Sequence, residues 1–197
     1  MSRDHSVAHF FASHHAAGLT KVVWVVTSIG NEVALAAASA LLLAVLYLSA
    51  RYRDLAMVVA GMAGASVLTL GIKNVVQRAR PGGEFRVPGA GPDNSYSFPS
   101  GHTLNTTVFV VLLVAVLWPH LKTSAARVGG VVAAGATAVS VGVSRLYLGY
   151  HWATDVLAGL VIGATWGLVL VAWSRSWTLR NARDALAEPG SREPVGT

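Results

Sequence analysis

The sequence predicts an all-α protein, an integral helical bundle that lies in a membrane. Its 197 residues are 53% hydrophobic and only 12% charged, with a mean hydropathy of +0.53. A soluble domain carries about a quarter of its residues as charges, so a free-standing soluble globule is disfavoured. The chain has no Cys, which excludes a disulfide scaffold, a Cys-ligated metal site and a thiol nucleophile.

Five uncharged segments predict five transmembrane helices, because a helix needs about 20 mainly apolar residues, with about 17 as the lower limit, to cross a bilayer. In chain order the segments are 33–50, 55–72, 103–118, 128–144 and 156–174. The third is the shortest, and His102 and Pro119 mark its ends. The five helices form one predicted transmembrane domain over residues 32–177.

The two ends of the chain are more polar. Residues 1–31 are predicted to form an N-terminal interfacial segment of one or two helices that lie along the membrane. A sixth crossing over residues 9–30 is the alternative. A cleaved signal peptide is disfavoured because the apolar run starts late and follows a His-rich stretch instead of a basic one. Residues 178–197 are predicted to be a polar cytoplasmic tail.

The alternation of five helices predicts that charged residues from distant parts of the chain meet at one membrane face. Lys73 ends the second predicted helix, and His102 begins the third. Arg145 ends the fourth, and Asp155 begins the fifth. Ionisable groups at such positions are costly and tend to mark function. The complete set at this face, which predicts a site for an anion, comprises Lys73, Arg80, His102, Arg145, His151 and Asp155.

The distribution of basic residues orients the bundle once this anion site is set aside. One face receives eight cations, which are Arg51, Arg53, Lys122, Arg127, Arg175, Arg180, Arg183 and Arg192. The other receives seven, which are Arg3, Lys21, Lys73, Arg78, Arg80, Arg86 and Arg145. Cytoplasmic loops carry the excess of Lys and Arg, and part of the second set serves the anion. We therefore expect a multi-pass protein of the inner or plasma membrane whose site faces the extracytoplasmic side.

Residues 99–102, with the sequence Pro-Ser-Gly-His, predict that the anion lies at the start of a helix. Ser100 is a natural N-cap, and the free N–H groups and the positive end of the helix dipole point toward a bound anion. Arg80 and Arg145 each offer a planar fork of donors, and Lys73 adds a point charge. This combination suits a tetrahedral oxyanion such as phosphate. For the tetrapeptide alone, a simple helix cap is the alternative.

His151 and Asp155 predict the reactive group. They are four residues apart, so on a helix they would share a face, and the carboxylate would accept one ring N–H. This hydrogen bond would leave the other ring nitrogen as a nucleophile toward phosphorus. A hydrogen bond on a helix surface is the alternative for an isolated pair. The neighbouring anion site favours the catalytic interpretation.

The loop over residues 82–98 joins two of these motifs and is rich in Gly and Pro. Its simplest interpretation is a polar connector. The alternative is a lid or headgroup-selecting loop in which Arg86 would bind a second phosphate. Tyr147, Tyr150 and Trp152 are expected in the aromatic belt at the membrane interface, with a position lining the lipid path as the alternative.

Three motifs follow one another in the chain. They are Lys73 followed after six residues by Arg80-Pro81, then Pro99-Ser100-Gly101-His102, then Ser144-Arg145 followed after five residues by His151 and after three more by Asp155. In this order and spacing they resemble the signature of the type 2 phosphatidic acid phosphatase superfamily, over residues 33–174. Larger members often have an additional first transmembrane helix. The chain is more similar to small bacterial members, such as the phosphatidylglycerophosphate and undecaprenyl-diphosphate phosphatases.

The resemblance implies a metal-independent lipid-phosphate phosphatase that needs no cofactor and works through a phosphohistidine. It implies that His151 is the nucleophile, that Asp155 orients it, and that His102 is the general acid and then the general base. The implied phosphate-binding residues are Lys73, Arg80, Ser100, Gly101 and Arg145. The expected substrate is a lipid of the phosphatidylglycerophosphate or phosphatidate type, with undecaprenyl diphosphate as the alternative.

Two other functions are less favoured. A vanadate-dependent haloperoxidase-like enzyme shares the phosphate site, but its known soluble relatives do not need a bundle buried in lipid. A non-catalytic lipid-phosphate binder would leave the complete hydrolytic set idle.

The expected partners are the lipid substrate and the bilayer. Nucleic acid is not expected, because the basic residues behind the net charge of +6 are separated by apolar segments. The stripe of Gly159, Gly163 and Gly167 predicts close helix packing within the bundle, with homodimerisation as the alternative. Monomer and homodimer both stay open.

Overall fold

A computed structural model describes residues 3–187 of the chain, with side chains to residue 177, and this part contains seven α-helices and no strand. The helices are α1 (Arg3–Ser13), α2 (Ala17–Ile29), α3 (Glu32–Leu48), α4 (Tyr52–Val76), α5 (Gly101–Leu117), α6 (Ser124–Tyr147) and α7 (Ala153–Ala187). Short 3-10 helices lie at Gly83–Phe85 and Trp118–His120. The predicted all-α class is confirmed.

Four of the described helices are long and apolar enough to cross a membrane. They are Tyr52–Val76, Gly101–His120, Ser124–Tyr147 and Ala153–Trp177. The pair α2 and α3 passes the same criteria only when both are taken as one span, bent by 44°. Five crossings are therefore the upper count by length and composition. The first of them would join α3 to α2, which lies in the segment predicted to be interfacial.

The alternative sixth crossing over residues 9–30 does not correspond to one helix. In this region α1 ends at Ser13 and α2 begins at Ala17. At the other end of the chain, the backbone of α7 continues to Ala187. Residues 188–197 of the predicted tail lie outside the described residues, and the domain limits at residues 31 and 177 stay predictions.

Helix α5 lies at the centre of the bundle and contacts α4, α6 and α7. Leu104, Val108 and Leu112 on this helix are at most 1% exposed. They pack in one cluster with Leu46 of α3 and Leu170 of α7. A helix that is apolar on all sides becomes the buried one, and this burial fixes the position of the Pro-Ser-Gly-His segment at its start.

The glycine stripe of α7 faces α5 within the same chain. A Cβ added at Gly163 would lie 2.7 Å from the carbonyl oxygen of Leu104, and one added at Gly159 would lie 3.0 Å from that of Ser100. Such contacts require glycine, because the neighbouring atoms belong to the backbone. The stripe is thus used for packing within the bundle, and it holds the first turns of α5 and α7 side by side.

Helix ends at one side of the bundle carry the charged residues that the sequence places there. Lys73 lies in the last turn of α4, and Arg145 lies in the last turn of α6. His102 and Asp155 lie in the first turns of α5 and α7. The antiparallel order of the helices brings these four positions to one end, as predicted.

Candidate active site

The carboxylate of Asp155 lies at the centre of this end of the bundle and is completely buried. Its Oδ2 atom accepts a hydrogen bond from the backbone N–H of Trp152 at 2.8 Å and another from the hydroxyl of Ser97. Its Oδ1 atom accepts from Nη1 of Arg78 at 2.6 Å. A buried charge is stable only when it is paired and hydrogen-bonded, and both oxygens meet this condition.

His151 lies in the turn before α7, two residues before the helix begins at Ala153. The prediction that His151 and Asp155 share a helical face is therefore wrong in its local structure. The two side chains still meet, because Asp155 folds back over the start of α7. The distance from Nδ1 of His151 to Oδ2 of Asp155 is 3.4 Å, and that to the hydroxyl of Ser97 is 3.5 Å.

The other ring nitrogen of His151 faces a cation. Nη1 of Arg80 lies 3.1 Å from Nε2. A guanidinium only donates hydrogen bonds, so these partners assign the proton to Nδ1 and a lone pair to Nε2. Burial lowers the pKa of His151 to about 4, although the hydrogen bond to Asp155 acts in the opposite direction. The imidazole is thus neutral at pH 7, with the lone pair of Nε2 facing Arg80.

The turn that carries His151 requires a glycine two residues earlier. Gly149 has a φ of +75°, in the left-handed region. A Cβ at this position would also collide with the carbonyl oxygen of Phe85. Glycine is the residue that tolerates both conditions, and the contact places the 82–98 loop directly against the turn.

The 82–98 loop supplies acceptors to two of the predicted phosphate-binding cations. Arg80 donates to the carbonyl oxygen of Ser95 at 2.8 Å and pairs with Oδ2 of Asp93 at 2.8 Å. Lys73 donates to the hydroxyl of Ser95 at 3.1 Å and to the carbonyl oxygen of Tyr96 at 2.7 Å. The loop therefore occupies donors that a phosphate would need, which favours the lid over the simple connector.

Asp93 is ionised in this arrangement. Burial acts to raise its pKa, but hydrogen bonds from Ser95 and the charges of Arg80 and Lys73 outweigh burial and hold the pKa below its ordinary value. A carboxylate thus lies beside the two cations, where it competes with any other anion.

Arg145 is 6% exposed and lies over the ring of Tyr150, with 4.3 Å between Cζ and the ring centroid. Its Nη1 atom donates to the hydroxyl of Thr27 at 3.2 Å, which joins α2 to the site. Its Nε atom is buried without a hydrogen-bond partner among the described residues. A buried donor without an acceptor is costly, so this guanidinium retains capacity for an anion.

Ser100 lies at the start of α5, as predicted, but its hydrogen bonds differ from those predicted for an N-cap. Ser100 is the N-cap residue, yet its side chain does not cap the helix; it accepts a hydrogen bond from the hydroxyl of Thr103 at 2.9 Å. The backbone N–H of Ser100 donates to the carbonyl oxygen of Asp155 at 3.1 Å, so it is not free for an anion. Gly101 and His102 follow in the first turn of α5.

His102 lies close to the α2–α3 bend. A Cβ added at Gly30 would lie 3.5 Å from Cβ of His102. The guanidinium groups of Arg145 and Arg80 are near enough to act on its imidazole electrostatically. All eight residues that the sequence selected therefore lie at this end of the bundle. Direct contacts among them join Arg80 to His151, His151 to Asp155, and Ser100 to Asp155. The other four are Lys73, Gly101, His102 and Arg145, and none of them has a direct side-chain bond to another member of the set among the described contacts.

Arg78 was missed as a site residue, because the sequence assigned it only to the charge balance of the two faces. Nη1 of Arg78 contacts both Asp155 and the hydroxyl of Thr154 at 2.6 Å. Nη2 pairs with Asp4 of α1 at 2.7 Å, and Asp4 also accepts from the backbone N–H of Thr154 at 3.0 Å. Helix α1 is thus tied to the site through Asp4, which binds both Arg78 and Thr154.

The aromatic residues near His151 are buried, and the expectation of an aromatic belt is wrong for them. Tyr147, Tyr150 and Trp152 are 3%, 8% and 9% exposed. Trp152 donates from Nε1 to the carbonyl oxygen of Ala79 at 2.9 Å, and Tyr150 donates from its hydroxyl to that of Gly91 at 3.0 Å. Tyr150 thus anchors the 82–98 loop, while the hydroxyl of Tyr147 contacts Ala16 and Thr20 at the start of α2.

Among residues 3–177, no group of three or more His, Asp or Glu side chains is placed to hold a metal ion. The charged groups of the site are cations, together with Asp93 and Asp155. The geometry accordingly suits an anionic ligand held by guanidinium and ammonium groups.

Comparisons with known proteins identify a family and several relatives of this chain. The PAP2 superfamily profile matches residues 54–179. Phosphatidylglycerophosphatase B of Bacillus subtilis is 38% identical over 93 residues, which are 47% of this chain and 44% of the relative. Decaprenylphosphoryl-5-phosphoribose phosphatase of Mycolicibacterium smegmatis is 37% identical over 127 residues, which are 64% of this chain and 61% of the relative. The chain thus spans less than two thirds of either relative.

A solved structure shares the fold. The crystal structure of a transmembrane PAP2-type phosphatidylglycerolphosphate phosphatase from Bacillus subtilis superposes with a TM-score of 0.80 and 25% sequence identity. The superposition covers 88% of this chain and 85% of the other. The family resemblance of the three motifs is therefore confirmed, together with the helical architecture.

Arg78→Gln is expected to lower kcat for phosphate release about 10-fold to 100-fold. The change removes a charged donor from the buried carboxylate of Asp155, an interaction worth about 1.5–3 kcal/mol. Arg53→Gln, whose arginine bonds to Ser174 at the other end of the bundle, is the control. An unchanged kcat in a correctly folded Arg78→Gln protein would show that Arg78 has no part in positioning Asp155.

Asp93→Asn is expected to strengthen inhibition by inorganic phosphate and vanadate about fivefold. The substitution keeps an amide oxygen for Ser95 but removes the charge that competes for Arg80, an effect of about 1 kcal/mol. Inhibition constants measured beside those of Glu84→Gln, an equal charge change in the same loop, provide the test. Weaker inhibition in Asp93→Asn than in Glu84→Gln would mean that Asp93 supports the anion site instead of competing with it.

Proposed function

The chain belongs to the PAP2 superfamily, and from this membership we propose that it is an enzyme that hydrolyses the terminal phosphate of a membrane lipid phosphate. The observation that carries the proposal is the state of His151, which is buried and neutral and has its Nε2 lone pair directed at Arg80. A neutral imidazole beside a group of buried cations is arranged for attack on a phosphoryl group.

In the proposed first step, Nε2 of His151 attacks phosphorus, and the bond from phosphorus to the lipid oxygen breaks. His102 donates a proton to the departing oxygen as general acid. Asp155, held by its hydrogen bonds, stabilises the imidazolium that forms on His151. The product is a phosphohistidine and a free lipid alcohol, or a lipid monophosphate when the substrate is a diphosphate.

In the second step, water attacks phosphorus, and the bond to Nε2 breaks. His102 now accepts a proton from the water as general base. Inorganic phosphate leaves, and His151 returns to its neutral state. The sequence of steps requires no metal, because fixed cations hold the charge that spreads over the phosphoryl oxygens.

The proposed phosphate-binding residues are Lys73, Arg80, Ser100, Gly101 and Arg145. Arg80 and Lys73 would exchange their acceptors in the loop for phosphoryl oxygens, and Nε of Arg145 would gain the acceptor that it lacks. Because the backbone N–H of Ser100 is bonded to Asp155, Ser100 would act through its hydroxyl, while Gly101 would offer its N–H at the start of α5.

The substrate class is proposed from the relatives. Their names specify phosphatidylglycerophosphate and decaprenylphosphoryl-5-phosphoribose, both of them lipid phosphates. A lipid of the phosphatidylglycerophosphate or phosphatidate type is the leading substrate for this chain, and undecaprenyl diphosphate is the second. Because the helices are apolar and lie in the bilayer, such substrates would reach the site from the surrounding lipid.

We further propose that the site faces the extracytoplasmic side of the inner or plasma membrane. Arg51, Arg53, Lys122 and Arg127 lie at helix ends opposite the site. At the site end, Lys73, Arg78 and Arg80 are bound to acidic or loop acceptors, which favours the opposite end as the cytoplasmic one under the positive-inside rule.

The covalent step is tested by trapping. With an aryl phosphate, whose leaving group needs no general acid, His102→Ala is expected to accumulate a labelled phosphoenzyme that is labile in acid and stable in alkali. His151→Ala is expected to show no label and no lipid phosphatase activity. His120→Ala, at the opposite end of the bundle, should behave as the native protein. Full activity in His151→Ala would exclude the phosphohistidine.

The proposed orientation is tested by introducing single cysteines, since the chain has none. Gly91→Cys lies in the loop over the site, and Ser124→Cys lies at the start of α6 on the opposite end. A membrane-impermeant maleimide is expected to label Gly91→Cys in right-side-out vesicles and Ser124→Cys only in inverted ones. The reverse pattern would place the site on the cytoplasmic side.

A further inference from the structure

Tyr150 connects the phosphate-site cations to an arginine that the proposed reaction does not use. The guanidinium of Arg145 lies 4.3 Å from its ring centroid, and that of Arg86 lies 5.7 Å from it. Both distances are within the range of a cation–π contact, about 6 Å. The carbonyl oxygen of Tyr150 also accepts from Arg80 at 2.7 Å. Three guanidinium groups therefore gather around one residue.

The backbone fixes Arg86 beside the turn that carries His151. A Cβ added at Gly149 would lie 2.8 Å from Cα of Arg86. The N–H of Arg86 donates to the carbonyl oxygen of Gly83 at 3.1 Å, which closes the 3-10 helix. On the far side of the loop, the Tyr150 hydroxyl bonds to Gly91. Arg86 thus has a defined position relative to the nucleophile.

The buried donors at this position lack acceptors. Nε of Arg86 and Nε of Arg145 are both inaccessible to solvent, and neither has a hydrogen-bond partner among the described residues. Buried N–H groups in native proteins are almost always bonded. Two such atoms on arginines that share one aromatic ring indicate that anionic oxygens belong between or beside them. One phosphoryl group at Arg80 and Arg145 leaves the donor of Arg86 unsatisfied.

We infer that Arg86, placed against Tyr150, forms a second anion subsite that binds a second phosphoryl group in the headgroup of the lipid substrate. The inference rests on the proposed function, in which Lys73, Arg80 and Arg145 hold the terminal phosphate. The second group is either the inner phosphate of a diphosphate or the phosphodiester of a longer headgroup. Lipids with two phosphoryl groups are then preferred over phosphatidate, which has one.

The test compares kcat/KM of the purified 197-residue protein in mixed micelles on three lipids. Phosphatidate carries one phosphoryl group, phosphatidylglycerophosphate carries two separated by glycerol, and a prenyl diphosphate carries two in direct linkage. Arg86→Gln is expected to lower kcat/KM about 10-fold for the lipids that use the subsite, with little change for phosphatidate. The lipid that loses more identifies which spacing the subsite accepts.

The matched control is Arg127→Gln. Arg127 also lies over an aromatic ring, that of Trp118 at 5.2 Å, but at the other end of the bundle, so its removal makes the same change in charge and stacking without touching the site. Arg86→Lys keeps the charge but not the planar donor, and it is expected to recover part of the loss. An equal loss on all three lipids would overturn the subsite and assign Arg86 a structural role.

Inhibition of aryl phosphate hydrolysis by inorganic anions tests the subsite separately from the hydrolysis of a lipid. Pyrophosphate is expected to inhibit the native protein more strongly than orthophosphate, and Arg86→Gln is expected to remove about a 10-fold difference between them. Equal inhibition by the two anions in the native protein would overturn the inference. Absence of phosphate release from every lipid by the native protein would instead overturn the proposed function, whatever the inhibition shows.

Discussion

The structure of the site depends on burying one carboxylate, that of Asp155. An ionised group inside the protein is tolerated only if donors surround it, and here the donors come from separate parts of the chain. Trp152 supplies a backbone N–H at the start of α7, Ser97 supplies a hydroxyl before α5, and Arg78 supplies a guanidinium after α4. Satisfying this charge therefore joins three helices at one point. The same point sets the position of His151, whose Nδ1 lies beside the carboxylate.

A second electrostatic constraint is the repulsion among the cations of the site. The site collects several cations in a buried region, where their mutual repulsion is poorly screened. Without a bound anion, the 82–98 loop moderates this repulsion with the carboxylate of Asp93 and the oxygens of Ser95 and Tyr96. Under the proposed function, these acceptors must be displaced when phosphate binds. The loop is consequently part of the binding equilibrium, and its composition influences which headgroups can displace it.

Much of the site could be predicted, because the chemistry of phosphate restricts the residue types that can bind it. Lys73, Arg80, His102 and Arg145 stand out in a chain with few charges, and the alternation of helices alone places most of them at one end. The local geometry of the site was harder to predict from the sequence. The spacing of His151 and Asp155 suggested a shared helix, whereas the pair meets because Asp155 folds over the start of α7. Arg78 carried no signal beyond its charge, since its partner Asp4 is distant in sequence.

The sequence by itself determined the membrane environment, the all-α class and the charged residues that meet at one end of the bundle. These features depend on composition, on segment length and on the identity of individual residues, all of which are local properties. Only the tertiary structure decided which donors are already engaged, as with the N–H of Ser100, and which are unsatisfied, as with Nε of Arg86 and Arg145. Whether a hydrogen-bonding group is free depends on neighbours brought from elsewhere in the chain, as when the packing of α5 against α7 brings Ser100 to Asp155.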